Sequence, residues 1–273
     1  MVGINALVLI LYLDGGNFTE EYACAFLSVS LFLFLEYFKT GHTRAWKLLL
    51  CGASFAAVCL LRINMIVLWG VMCIGVVIDC VRRKALKDIP LFIRWFLLGS
   101  AAVAAPILIW FWSRGALSHF IDASFLFDLK YSSDPLRSSL DNKITSALYF
   151  FAGDPFIIAA PPLIYFCFSR RRLVDWLCLI SLILSVIAVS LSGLSYRHYG
   201  MILCPLVTYS VSRTLREVEH FLLRADLRQR IGAMAAILCL ITVMFFGTGV
   251  TTAYSFLRMS PTPDPTDLEY RVA

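Results

Sequence analysis

The chain has 273 residues, of which 60% are hydrophobic and only 15% are charged, with a formal net charge of +6 and a mean hydropathy of +0.79. Soluble domains contain about 45–50% apolar and about 25% charged residues, so this composition excludes an ordinary soluble domain. The apolar runs are continuous and do not alternate with polar residues, which excludes a transmembrane β-barrel and leaves membrane-spanning helices.

Nine apolar segments, each a candidate membrane-spanning helix, follow one another along the chain. In order they cover residues 2–13, 22–38, 48–61, 65–81, 92–112, 144–168, 173–191, 199–212 and 231–257. A span needs about 20 apolar residues, so the sequence predicts an all-α polytopic membrane helix bundle of about eight or nine transmembrane helices over residues 1–257. The Pro- and acid-rich tail, 258–273, is predicted to be disordered and extracytoplasmic.

The first segment, 2–13, is short for a span and lacks the basic flank and small-residue cleavage site of a signal peptide. We therefore expect the chain to be the C-terminal part of a longer protein, or its start codon to be misplaced. In either case the predicted bundle is incomplete at its N-terminus.

Basic residues gather in alternate loops of this pattern. Sixteen of the 24 Lys and Arg residues lie within or beside the segments 39–47, 82–94, 170–172 and 213–230. The positive-inside rule predicts that these loops are cytoplasmic, in a multi-pass protein of the bacterial plasma membrane. Topology thus explains the positive charge, and no nucleic-acid partner is expected. Attraction of these loops to anionic membrane lipids is the alternative role.

Neither the cysteines nor any familiar catalytic motif indicates a soluble-enzyme site. The nine cysteines are scattered, without a CxxC pair or a His/Cys ligand spacing, so they are interpreted as small apolar filler and no zinc or redox site is predicted. The chain has no Gly-rich phosphate loop, no GxSxG, no HExxH and no Asp-rich nucleotide-sugar motif. A catalytic role would therefore not use an obvious nucleotide donor.

Four polar groups interrupt the apolar pattern, all on the face predicted to be extracytoplasmic. They are Asn17, Thr19, Glu20 and Glu21; Arg62 and Asn64; Tyr196, Arg197, His198 and Tyr199; and Lys130 with Tyr131 in the loop 113–143. Charged residues close to a membrane core are costly and often functional, so these groups form the candidate binding site.

Each group also has a purely structural interpretation. Thr19 or Asn17 can cap a helix whose first turn favours acids, and Arg62 can anchor a helix hairpin at the membrane surface. Aromatic residues are common at membrane interfaces, and the loop 113–143 can lie along the surface as an amphipathic segment. The functional interpretation is that the arginines and His198 bind a phosphate or carboxylate.

Four strings occur in order between about residues 13 and 206: GGNFTEEYACAFLSVSLFLFLEYFKTG, GASFAAVCLLRINMIVLW, GALSHFIDASFLFDLKYS and YRHYGMILCPL. Together they resemble bacterial membrane glycosyltransferases of the GT-C fold. These form part of the broad glycosyltransferase family 39-like group, which includes protein O-mannosyltransferases and the lipid A aminoarabinose transferase. The last string resembles an aromatic–His–Tyr turn that members of this group carry before an apolar run ending in proline, here Pro205.

The resemblance implies a membrane enzyme of the cell envelope that takes a hexose or pentose from a polyprenyl-phosphate donor. The sugar would pass to a saccharide, lipid or protein acceptor at the extracytoplasmic face. In that group the catalytic base is an acidic residue of the first extracytoplasmic loop. No residue of this chain corresponds to it, so the base is expected upstream.

The chemistry of such a transfer suggests roles for the basic candidates. Cations must stabilise the phosphate that departs from the sugar, a task that suits Arg62, Arg197 and His198. Lys130 and Tyr131 are the most plausible ligand contacts of their loop.

Glu20 and Glu21 would hold the acceptor or a divalent cation. Metal is optional in this account because arginines can neutralise the phosphate, and no other cofactor is expected. Two alternatives remain: a transporter or flippase of lipid-linked saccharides, and a non-catalytic membrane assembly subunit. The sequence shows no inverted internal repeat of the kind that many transporters carry.

Overall fold

A computed structural model of the chain describes residues 18–126, 139–193 and 195–224, apart from the side chains of Asp154 and Arg197. The described residues contain helices and no strand, which confirms the predicted all-α class for this part. Its α-helices are α1 (Thr19–Thr40), α2 (Ala45–Leu61), α3 (Val67–Arg82), α4 (Asp88–Ser113), α5 (Leu117–Ile121), α6 (Leu140–Phe151), α7 (Asp154–Arg170), α8 (Leu173–Ser190) and α9 (Cys204–Arg224). Three short turns add to them: the 3-10 turns Ile63–Met65 and Arg197–Leu203 and the π-helical turn Asp122–Leu126.

Four helical segments in the described residues are long and apolar enough to cross a membrane. They are Thr19–Thr40, Ile63–Arg82, Asp88–Ser113 and Leu173–Ser190. A fifth crossing results if Leu140–Phe151 and Pro155–Arg170, which meet at an angle of 68°, form one bent span. By length and composition these helices indicate a membrane protein, with four or five of the predicted spans in the described part.

Three predicted spans differ in the structure. The segment 48–61 lies in α2, which has only 17 residues. The segment 144–168 is two helices, α6 and α7, with the break at Ala152 and Gly153. The segment 199–212 is part of a 3-10 turn followed by the first half of α9, whose second half is charged. The predicted spans 2–13 and 231–257 and the tail 258–273 lie outside the described residues.

The chain divides by its internal contacts into the units 1–214 and 215–273. In the first unit, an apolar core is built mainly from side chains of α1, α3, α7, α8 and α9, with Trp69, Leu27 and Leu182 almost fully buried. Helix α4 buries little more than Gly99 and exposes most of its apolar side chains, as a lipid-facing helix does. Of the second unit, the structure describes the last turns of α9.

The connections in the first unit lie at two ends of the bundle. At the basic end, Arg83 after α3 donates to the carbonyl of Gly41 after α1 at 2.7 Å, and Leu177 near the start of α8 lies against Gly75 of α3. The loops that meet here, 41–44, 83–87 and 171–172, are those that carry the basic residues. At the opposite end, the start of α1 packs against the two 3-10 turns.

Helices α2 and α4 pack with their backbones in close contact. A Cβ atom at Gly52 would lie well within 3.0 Å of the carbonyl carbon and oxygen of Phe96, and one at Gly99 would overlap the carbonyl of Leu49 in the same way. Ser100 Oγ donates to the carbonyl of Gly52 at 3.0 Å. Without the hydrophobic effect as a driving force in lipid, helices associate through such close packing of small residues.

A Tyr–Asp–Arg cluster ties α1 to α3 at the basic end. Tyr37 of α1 donates to Asp79 of α3 at 3.1 Å, and Nε of Arg83 donates to the same carboxylate oxygen at 2.8 Å. Burial opposes the charge of Arg83, but the hydrogen bond to Asp79 and the nearby Tyr37 hydroxyl raise the pKa of this guanidinium above its ordinary value. Arg83 therefore stays charged at any relevant pH and fixes the turn after α1 through Gly41.

A second cluster with the same three residue types ties α8 to α9. Tyr209 of α9 donates to Asp175 of α8 at 2.6 Å, and Arg213 Nε lies 3.6 Å from the same carboxylate oxygen. Asp175 is completely buried. A buried carboxylate is tolerated where it is paired and hydrogen-bonded, so this cluster stabilises the contact between the two helices.

Tyr209→Phe is expected to lower the free energy of unfolding by about 1.5–3 kcal/mol, because a buried carboxylate would lose its short hydrogen bond. The measurement is denaturant unfolding in detergent micelles. The control is Tyr165→Phe, which changes the same group at a side chain that is 63% exposed. Equal stability of the two variants would show that the Asp175 cluster contributes nothing measurable.

Candidate functional site

Glu20 is held in the first turn of α1, where the helix dipole favours a carboxylate. The sequence predicted Thr19 or Asn17 as the helix cap, but Phe18 occupies the cap position and makes no side-chain cap hydrogen bond. Thr19 is the first helical residue, and its hydroxyl donates to Glu20 Oε2 at 3.0 Å. Asn17 lies outside the described residues. Glu20 is only 2% exposed, so its charge requires partners from elsewhere in the chain.

Arg62 supplies the main partner of Glu20. The chain leaves α2 at Leu61 in an extended conformation at Arg62 and turns through Ile63–Met65 into α3. This tight hairpin places Arg62 Nη1 2.9 Å from Glu20 Oε1 and the guanidinium carbon 4.6 Å from the centre of the Tyr199 ring. The Arg62 side chain is 24% exposed, so it is not closed off from solvent.

His198 also approaches Glu20, from the 3-10 turn that precedes α9. Its ring is stacked between Phe18, at 4.3 Å and 4°, and Tyr196, at 5.5 Å and 10°. Tyr199 packs against it edge-on at 4.8 Å. The stack holds the ring so that Nε2 lies 3.9 Å from Glu20 Oε1. His198 carries a positive charge only when it is protonated.

The result is a compact cluster, here called the Glu20 cluster, which consists of Glu20, Arg62, His198 and Tyr199. Its members come from three segments far apart in the sequence and meet at the end of the bundle opposite the basic loops. Breaking a buried ion pair by removing one partner typically costs about 3–5 kcal/mol, whereas the intact pair adds little stability over an apolar substitute. The Glu20–Arg62 ion pair is therefore better explained by the position in which it holds the Arg62 guanidinium than by a contribution to the stability of the fold.

The structure places the other predicted site residues as follows. Glu21 is half-buried in the first turn of α1 and has contacts of its own. Asn64 follows Arg62 in the 3-10 turn, and its Oδ1 is shielded from solvent without a hydrogen bond from any described residue. Arg197 begins the 3-10 turn beside His198, but its side chain is not described. Lys130 and Tyr131 lie outside the described residues.

A metal at this site finds little support in the part of the chain that the structure describes. Within those ranges, no three His, Cys, Asp or Glu residues are grouped so that they could hold a metal ion. Glu20 is already paired with Arg62. Phosphate recognition by the arginine is the chemistry that the arrangement favours.

Sequence reasoning missed two features of the site. It gave Phe18 no role, although this ring forms one side of the histidine stack. It also treated Glu20 and Arg62 as separate groups, because nothing in a sequence shows which residues of two different turns will form an ion pair. The only available signal was that both turns were predicted on the same face of the membrane.

Comparisons with known proteins provide no relative from which to transfer a function. No family model, no curated protein and no solved structure matches the chain.

Proposed function

We propose that the protein is an integral membrane glycosyltransferase, which moves a sugar from a polyprenyl-phosphate donor to an acceptor at the extracytoplasmic face. The observation that carries the proposal is the Glu20 cluster. It brings an arginine and a histidine around a buried carboxylate, at the end of the bundle remote from the basic loops. By the positive-inside rule this end faces away from the cytoplasm.

The donor requires a site that binds a phosphate at the membrane surface. In the transfer, an acceptor hydroxyl attacks the anomeric carbon and gives up its proton to a general base. The bond from that carbon to the phosphate oxygen breaks, and the phosphate leaves with the electron pair. Cations aimed at the departing phosphate lower the barrier. Arg62 suits this role because its planar guanidinium lies beside Glu20 and its side chain is not fully buried.

His198 is the second group that we assign to the phosphate. Because its ring is held between Phe18 and Tyr196, it cannot turn freely and is already oriented toward the Glu20 cluster. Fixed donors are more effective than mobile ones because they need no reorganisation during the reaction. Arg197 is adjacent in the same turn and is proposed as an additional contact to the phosphate.

One observation favours a second candidate, a transporter or flippase of lipid-linked saccharides. The pair Leu140–Phe151 and Pro155–Arg170 is bent by 68° at its break, and broken helices are a feature of many transporter binding sites. The cluster of charged groups at one end of the bundle, rather than at its middle, favours the transferase.

The test uses the full chain in proteoliposomes with a polyprenyl-phosphate sugar labelled in the sugar. Arg62→Lys is expected to weaken donor binding by about tenfold or more, because lysine cannot replace a planar fork of donors. His198→Ala is expected to reduce both binding and transfer. Bound donor and transferred sugar are measured separately, so that binding is visible even where turnover is slow.

Matched controls are Arg114→Lys and His119→Ala, two exposed residues beyond the end of α4 that is remote from the basic loops. Both should bind the donor as the unaltered chain does. Unchanged binding in Arg62→Lys and His198→Ala would remove the Glu20 cluster from the donor site. Movement of the labelled lipid between leaflets without release of polyprenyl phosphate would favour the transporter.

A further inference from the structure

A cavity of about 170 Å³ lies at the basic end of the bundle, far from the Glu20 cluster. It opens between the loop after α1 and the start of α4. Its lining includes three aromatic residues and three polar ones: Tyr37, Phe92, Trp95, His42, Thr43 and Asp88. A single water needs only about 10–15 Å³ of such space, so the cavity has room for a small polar group of several atoms.

The charge of the lining indicates that a cation is preferred inside. Asp88 is the one acidic residue among the described residues of the lining. Among the described residues it forms no ion pair and no side-chain hydrogen bond. The position of Asp88 in the first turn of α4 is favourable for any acid, but this does not explain the aromatic lining. Aromatic rings together with a carboxylate are the groups that recognise an ammonium ion.

No Lys or Arg is among the described residues of the lining, but the guanidinium groups of Arg83 and Arg94 lie over the Tyr37 and Trp95 rings, each 5.5 Å from the ring centre. Arg83 is engaged by Asp79, Tyr37 and the carbonyl of Gly41. Lys84 and Lys87 are exposed in the loop that leads into α4. Exposed basic side chains at a membrane surface attract phospholipid phosphates.

We propose that this cavity binds the headgroup of an aminophospholipid, with the ammonium group inside against Asp88 and the aromatic rings. The phosphate of the same lipid lies at the mouth, beside Lys84 and Lys87. A zwitterionic headgroup matches this order of charges, negative inside and positive outside, whereas an anionic headgroup without an amine matches only the mouth. This site is independent of the proposed glycosyl transfer.

The experiment is native mass spectrometry of the full chain in detergent. The chain is mixed with equal amounts of phosphatidylethanolamine and phosphatidylglycerol that have identical acyl chains. The unaltered chain is expected to retain the ethanolamine lipid preferentially. Asp88→Asn and Trp95→Leu should each reduce that preference by about threefold or more, because one removes the charge and the other the aromatic ring.

Two matched variants control for the general effect of the substitutions. Asp141→Asn removes an acid from the first turn of α6, an exposed position that does not line the cavity, and Trp112→Leu removes an exposed ring from the far end of α4. Both should keep the preference. Equal retention of the two lipids by the unaltered chain, preference for the glycerol lipid, or full preference in both Asp88→Asn and Trp95→Leu would each overturn the proposal.

Discussion

Arg62→Met is expected to lower the free energy of unfolding by about 3–5 kcal/mol, because it leaves the carboxylate of Glu20 buried without its main partner. Methionine keeps much of the length of the arginine side chain, so the loss is mainly one of charge. His198 cannot compensate fully, since its Nε2 lies 3.9 Å from the carboxylate, beyond hydrogen-bonding distance. The measurement is equilibrium unfolding by denaturant in micelles.

The double variant Glu20→Gln/Arg62→Met tests whether the loss of stability in Arg62→Met comes from the unpaired charge of Glu20. Because both charges are gone, it should regain most of the stability lost in Arg62→Met. Donor binding should nevertheless stay low in the double variant, since the guanidinium is absent. If Arg62→Met alone were as stable as the unaltered chain, the buried pair would not exist in solution.

Gly99→Ala is also expected to lower the free energy of unfolding, in this case for a steric reason. The new Cβ atom would overlap the backbone carbonyl of Leu49, which cannot move aside as a side-chain end can. Overpacking of this kind costs about 1–3 kcal/mol and sometimes more, because the helices must shift apart. Gly52→Ala meets the backbone of Phe96 in the same way and should give a similar loss.

Gly70→Ala is the matched control, because a Cβ atom at this position in α3 would meet nothing within 4 Å. Alanine has a higher helix propensity than glycine by about 1 kcal/mol, so this variant should be unchanged or slightly more stable. Unfolding midpoints of the three variants in the same detergent provide the comparison. Stability of Gly99→Ala equal to that of Gly70→Ala would contradict the close packing of α2 and α4.

The long uninterrupted apolar helices were the most predictable part of the fold. The predicted segments 65–81, 92–112 and 173–191 fall within or close to helices that can cross a membrane, because a run of apolar residues identifies such a helix without reference to its neighbours. The break within 144–168 was missed because its residues, around Gly153, form a short polar interruption. The predicted segment 199–212 begins too early, within the 3-10 turn Arg197–Leu203, because a hydropathy pattern does not distinguish a 3-10 turn from an α-helix.

For the candidate site, the sequence predicted which turns carry polar residues but not how those residues pair. Alternation of helices implies that the starts of α1 and α3 and the turn before α9 lie at one end of a bundle. The 2.9 Å contact between Glu20 and Arg62 depends in addition on how each helix is rotated about its axis, which is decided by packing. The clusters of Asp79 and Asp175 were not predicted for the same reason, because the sequence does not show how each helix is rotated about its axis.

The two Tyr–Asp–Arg clusters lie at the same end of the bundle. Each links two helices through a tyrosine hydrogen bond to a carboxylate. At the other end, the helix starts are held by the Glu20 cluster and by ring stacking. Contacts to a carboxylate therefore hold segments of the chain together at both ends of the bundle.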